Sequence, residues 1–167
     1  CYMFEESGKP KLVDDARSGV FLAPPKVFAG GEGLVSTLDD YISFCKMILN
    51  GGAHGDHRII SRKTLDLMGA NHLVNGADLR SCAYGRWSET SYTGVGFGLG
   101  FSVLLDPAAS QISGSVGELA WGGAASTAFW IDPLEDLAVV FLTQLLPSSQ
   151  YNVRRELRSL VYSAISD

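Results

Sequence analysis

Hydrophobic and polar positions change period several times along the chain. Residues 1–29 show little pattern, and Pro24-Pro25 favours extended backbone, so this stretch reads as an arm or loop lying over something else. Gly30-Gly31-Glu32-Gly33 breaks the chain. Ser36-Thr37 then offers a helix cap, with Asp39 and Asp40 in the first turn, where negative charge suits the helix dipole. Leu38, Ile42, Cys45 and Leu49 recur at helical spacing, with Tyr41 and Ile48 beside them. Asn50-Gly51-Gly52 ends the run, so the pattern predicts a helix over 37–49. A shorter helix is predicted at 61–69, capped by Ser61, with Leu65 and Met68 inward. The polar stretch 71–92 reads as loop.

From residue 94 the period becomes two. Phe97, Leu99, Phe101, Val103 and Leu105 alternate with Gly94, Gly96, Gly98, Gly100 and Ser102, which predicts a strand over 94–106 stopped by Asp106-Pro107. Its bare glycine face lets something approach the backbone closely. Residues 125–131 and 137–145 read as two more strands, made antiparallel by the short turn at Asp132-Pro133. The second is nearly all apolar and is expected to be central and covered on both faces. Residues 150–165 form an amphipathic helix, with Val153, Leu157, Leu160, Val161 and Ile165 predicted inward and Arg154, Arg155, Glu156 and Arg158 outward. The elements add up to an α/β layered arrangement of the α+β type, an antiparallel sheet flanked by helices.

Composition narrows the function classes. Of 167 residues, 46% are apolar, enough for a core. The net charge of -5 and the absence of a basic stripe argue against a nucleic-acid partner. No apolar run reaches the roughly 18 residues of a membrane-spanning helix. Cys1, Cys45 and Cys82 are too few and too widely spaced for a disulfide framework or a zinc site. No cofactor is implied. Residue 1 is Cys rather than Met, which reads as a truncated or processed start.

Candidate chemistry is sparse. Ser43-Phe-Cys-Lys46 matches S-x-x-K, the serine-lysine nucleophile motif. However, Asp39, Ser43, Lys46 and Asn50 form a polar stripe in mid-helix, which favours a solvated face over a nucleophile. His54, Asp56 and His57 lie close together, but in a Gly-rich loop with no third ligand evident, so a metal site is not favoured. Gly94 to Gly100 has the spacing G-x-G-x-G inside a strand and is no dinucleotide fingerprint. The segment 117–125 stands out. Its paired glycines enter an apolar strand, where a substrate could lie along the backbone and receive its N–H groups. An ordinary turn into the strand is an equal alternative.

Several blocks in register carry a resemblance. Gly30-Gly-Glu-Gly-Leu-Val-Ser-Thr-Leu-Asp-Asp-Tyr41, Arg58-Ile-Ile-Ser-Arg-Lys-Thr-Leu-Asp-Leu-Met68 and Asn71-His72-Leu73 come first. Phe97-Gly-Leu-Gly-Phe-Ser-Val, Gly114-Ser-Val-Gly-Glu-Leu-Ala-Trp-Gly-Gly-Ala-Ala, Phe129-Trp-Ile-Asp-Pro133 and Glu135-Asp136-Leu137 follow, with Thr143-Gln-Leu-Leu-Pro-Ser at the end. From about residue 28 onward the chain resembles the serine β-lactamase-related hydrolases, which include class C-like β-lactamases, penicillin-binding-protein-like enzymes and family VIII carboxylesterases.

The resemblance implies that residues 30–167 are the C-terminal part of a β-lactamase/transpeptidase-like catalytic domain. The nucleophilic Ser, its Lys and a Tyr belong to the family's N-terminal half, so no catalytic residue is expected in this chain. Trp121-Gly122-Gly123 looks like the third motif of the family, in its W-G-G form, and Ala124 then supplies one N–H of the oxyanion hole. Trp in place of the Lys of K-T-G removes a cation for a substrate carboxylate, which favours neutral esters over β-lactams. The implied partner is a small ester or amide substrate of the parent enzyme. A non-catalytic binding or regulatory module of the same fold is the rival reading. A partial domain of this kind is expected to self-associate through exposed sheet edge and apolar surface.

Overall fold

The computed structural model describes residues 1–31, 33–84 and 92–166. Its centre is a five-stranded antiparallel sheet in sequential order: β5 (Val95–Phe97), β6 (Ser102–Leu104), β7 (Leu119–Gly122), β8 (Ala128–Asp132) and β9 (Leu137–Phe141). One face packs against α1 (Leu38–Leu49) and α2 (Arg62–Met68), where Cys45, Ile48, Phe101, Val103, Leu119, Phe129 and Ile131 form the buried core. The other face carries α5 (Val153–Ser163). The antiparallel sheet with helices on both faces is the α+β arrangement expected from the patterning.

The helix starts follow their caps. Thr37 accepts from the Asp40 N–H at 3.2 Å and Ser61 from the Thr64 N–H at 3.0 Å. On α1 the inward stripe is Tyr41, Phe44, Cys45 and Ile48, and Leu38 is exposed rather than inward. A two-stranded ribbon, β3 (Ala53–His54) with β4 (His57–Arg58), joins α1 to α2.

Several expectations are revised. The single strand 94–106 is a hairpin of β5 and β6, with Val95 opposite Leu104 and Phe97 opposite Ser102. The chain reverses at Gly98–Phe101, where Gly98 N donates to Phe101 O at 2.8 Å. Gly98 lies against the Met68 carbonyl, where any Cβ would collide, and Leu99 N donates to Met68 O at 2.9 Å. What approaches the bare glycine face differs by position: the end of α2 at Gly98, the Asn71 side chain at Gly96 and the Asp106 carbonyl at Gly94. Leu119–Gly122 is a strand of its own and the middle one of the sheet.

Strand β9, expected to be central, is at the sheet's edge and only half-buried, since α1 covers one face and no described strand pairs with its outer side. The arm 1–29 is partly ordered in a second sheet: β1 (Tyr2–Phe4) pairs with β2 (Pro10–Leu12) and runs parallel to β10 (Leu145–Leu146). Of the expected loop 71–92, residues 85–91 lie outside the described residues. The rest holds a 3-10 turn at Val74–Gly76 and a short helix α3 (Leu79–Cys82) capped by Asp78, and a further short helix, α4 (Pro107–Ser110), follows β6.

Helix α5 also differs from its predicted face. Leu160 and Ile165 are exposed, while Arg154, Arg158 and Tyr162 turn toward the sheet. For Arg158 and Tyr162 the cause lies on the sheet: Glu118, just before β7, is 2% exposed and Asp132 fully buried, and two buried carboxyls need donors. Arg154 instead meets the carbonyls of Gly123 and Thr127. Residues 154, 158 and 162 recur every four positions and therefore share one side of the helix.

Candidate substrate-binding site

Strands β7 and β8 are joined by a tight turn. Gly123 N donates to Thr127 O at 3.0 Å, Ser126 N donates to Gly123 O at 3.1 Å, and Ser126 adopts a left-handed conformation with φ 69°. This is the three-residue hairpin pattern of a turn followed by a left-handed residue. Ser126 is held there by burial and by its hydroxyl, which donates to Leu145 O at 2.6 Å.

The register leaves one edge of β7 open. Leu104 N donates to Glu118 O at 2.9 Å and Ser102 is paired with Ala120, so residues 118 and 120 face β6. Residues 119 and 121 then face β8, as Gly123 does through Thr127. Strand β6 begins at Ser102, opposite Ala120, and has no residue opposite Gly122. The N–H groups of Gly122 and Ala124 therefore point out of the sheet on the β6 side, and Ala124 N has no acceptor among the described residues. Two backbone donors on an unpaired strand end can bind a carbonyl oxygen or a developing oxyanion.

Trp121 stands beside this edge, 42% exposed. Phe97 meets it edge-on with ring centroids 5.0 Å apart, and Tyr92 stacks on it at 6.2 Å. Trp121, Gly122 and Gly123 form part of the wall of an open cleft of about 680 Å³, together with Phe21, Leu34, Tyr41, Phe129 and Leu142. Among the described residues no Lys or Arg lines this cleft. Burial pushes the Tyr41 phenol up, with the neighbouring Cys45 adding to it.

The paired glycines serve internal packing as well as access. A Cβ on Gly122 would lie 2.7 Å from the Arg154 guanidinium carbon, and one on Gly123 would collide with the Thr127 hydroxyl. Arg154 Nη2 donates to Gly123 O at 2.7 Å and to Thr127 O at 2.8 Å, so α5 holds both ends of the turn. Sequence reasoning placed Arg154 on the solvent side and missed this contact. Its signal was the four-residue recurrence of Arg154, Arg158 and Tyr162.

Behind the turn, Arg158 Nη1 is 2.6 Å from Glu118 Oε2, and Arg158 also covers the Trp130 ring at 4.6 Å. Tyr162 Oη lies 2.7 Å from Glu118 Oε2 and 2.8 Å from Asp132 Oδ2. Burial pushes the Glu118 carboxyl above its ordinary 4.5, against the downward pull of Arg158 and Tyr162. Burial and the two carboxyls raise the Tyr162 phenol strongly.

The other singled-out residues are elsewhere. Ser43 donates to Asp39 O at 2.8 Å on its own helix, and Lys46 is exposed. His54 and His57 face each other across the β3–β4 ribbon with exposed side chains, and the described residues contain no group of three His, Cys, Asp or Glu placed to hold a metal. No helix of the described residues is long and apolar enough to cross a membrane.

A family model described as beta-lactamase matches residues 4–163. The chain belongs to the beta-lactamase family. Protein Rv1367c of Mycobacterium tuberculosis (strain ATCC 25618 / H37Rv) is 32% identical over 148 residues, covering 87% of this chain and 36% of that protein. Among solved structures, unliganded simvastatin synthase (LovD) from Aspergillus terreus superposes with a TM-score of 0.75 at 21% identity, over 99% of this chain and 42% of LovD. EstCE1, described as a hydrolase with promiscuous acyltransferase activity, gives 0.71 at 23% identity, over 96% and 42%. These two likenesses show the beta-lactamase-like fold. The chain spans about a third to two fifths of the length of the relatives it matches.

Proposed function

We propose that this chain forms the substrate-binding wall of a beta-lactamase-family serine hydrolase that acts on ester or amide carbonyls through an acyl-enzyme, with neutral esters preferred. The observation that carries the reading is the open end of β7, where Ala124 N has no acceptor among the described residues and Trp121-Gly122-Gly123 borders the cleft. In this reading the substrate's acyl group lies along Trp121, and its carbonyl oxygen takes the Ala124 N–H. The nucleophilic Ser, with the Lys and Tyr that move its proton, comes from family sequence outside these 167 residues. Attack turns the carbonyl oxygen into an oxyanion, and each preorganised donor to it contributes about 3–4 kcal/mol to the barrier reduction. The absence of Lys and Arg from the described cleft wall supports uncharged acyl groups over substrates bearing a carboxylate.

The test compares two proteins. The 167-residue chain alone is expected to turn over neither p-nitrophenyl esters nor nitrocefin. The intact reading frame is expected to cleave the esters faster than nitrocefin, and to lose that activity with Trp121→Ala. Turnover by the 167-residue chain that survives Trp121→Ala and is abolished by Ser43→Ala would overturn the reading.

A further inference from the structure

The Gly123–Ala124 peptide is engaged at one end and open at the other. Gly123 O accepts from Arg154 Nη2 at 2.7 Å and from Ser126 N at 3.1 Å. Ala124 N has no acceptor among the described residues and faces the open edge of β7. The peptide is planar and trans, so its carbonyl and its N–H point in opposite directions. Whatever fixes the Gly123 oxygen therefore aims the Ala124 N–H. A cation on the carbonyl also polarises the amide and strengthens its N–H as a donor, as hydrogen bonds in a chain strengthen one another. Arg154 holds Thr127 O at 2.8 Å as well, so the guanidinium spans the mouth of the turn. Gly122 is bare where that group lies. The helix carrying Arg154 is itself fastened to the sheet by Arg158 and Tyr162 on Glu118.

We infer that Arg154 is the positioning residue of the oxyanion donor. From the far side of the sheet, it orients and polarises the Gly123–Ala124 peptide through Gly123 O. This rests on the proposed role of Ala124, and it assigns the strength of that donor to a helix residue that need not touch substrate.

The experiment uses the intact protein with Arg154→Met and Arg154→Lys. Selective ¹⁵N-alanine labelling reads the Ala124 amide directly, independently of turnover. Arg154→Met is expected to move the Ala124 amide proton upfield. It is also expected to lower kcat on a p-nitrophenyl ester by about tenfold or more, short of the 10²–10³ seen when an oxyanion donor is lost outright. KM should stay within about twofold, because the contact strengthens as charge develops. Arg154→Lys should recover part of both effects. An Ala124 amide unmoved in Arg154→Met, or a kcat unchanged while only the unfolding midpoint falls, would overturn the assignment. A wild-type protein without ester turnover would overturn Ala124 as an oxyanion donor, and the amide shift would still decide whether Arg154 holds the peptide.

Discussion

Arg158 and Glu118 meet at 2.6 Å between α5 and the sheet, with both side chains largely out of solvent. The pair joins a helix near the C-terminal end to the strand that leads into Trp121-Gly122-Gly123. Tyr162 reaches the same Glu118 oxygen and Asp132, so four groups, two from the helix and two from the sheet side, share one buried polar knot. Such a knot stabilises only when every member is satisfied.

Glu118→Ala is expected to destabilise the fold by about 3–5 kcal/mol, because Arg158 is left buried without its partner. Glu118→Gln should cost less, since it keeps a polar partner for Arg158 and Tyr162. Denaturant unfolding checks both. The wild type should also show a pH signature. Burial raises Glu118 in the folded state above its ordinary 4.5, so the native protein binds this proton more tightly than the unfolded chain. Stability from Glu118 is then fully present below the unfolded carboxylate value and declines as pH rises through the folded one. Glu118→Gln should remove that decline, and equal slopes in wild type and variant would refute it.

Gly122→Ala places a methyl group against the Arg154 guanidinium, which two carbonyls hold in place. A loss of about 1–3 kcal/mol is expected from such overpacking. Arg154→Ala removes the obstacle, so the two changes should be non-additive, with a coupling of at least about 0.5 kcal/mol. A double-mutant cycle by thermal or denaturant unfolding measures it.

The three thiols should differ sharply in reactivity. Cys45 is fully buried and burial pushes its thiol up to about 11, whereas Cys82 is exposed and Cys1 partly so. Only thiolate reacts with a disulfide reagent. Two equivalents should react promptly in the native state and the third only on unfolding. Prompt reaction of all three would show that α1 is not packed on the sheet.

The 167-residue chain by itself is expected to self-associate. Phe28 and Leu34 are 92% and 97% exposed, and the outer edge of β9 has no partner among the described residues. Apolar surface and an unpaired strand both favour association. Sedimentation over a range of concentrations, with a dye that reports apolar surface, checks this. A monomer at high concentration that binds no dye would refute it.

Much of this was legible from local pattern. Thr37 and Ser61 cap the helices where their side chains could accept the first free N–H groups, because capping depends on three or four neighbouring residues. The W-G-G block marked the strand end that borders the cleft, because a run of residue types survives as a motif. The alternation over 94–106 misled for a physical reason: period two is the same in one long strand and in two short antiparallel ones. The pairing of Val95 with Leu104 and of Phe97 with Ser102, which alternation alone does not reveal, distinguishes them.

The sequence by itself determined the three main helices, the antiparallel sheet and the family, all of which rest on short-range periodicity and contiguous motifs. Only the tertiary structure decided which strand is the middle one, which face of α5 turns inward and what fills the space beside Gly122. Those depend on pairings across many residues: Arg154 lies 31 positions from Gly123, and Tyr162 44 from Glu118. Hydrophobic patterning placed the arginines of α5 in solvent. Two buried carboxyls that need donors take Arg158 and Tyr162, and Arg154, on the same side of the helix, then lies behind the turn that presents the Ala124 N–H.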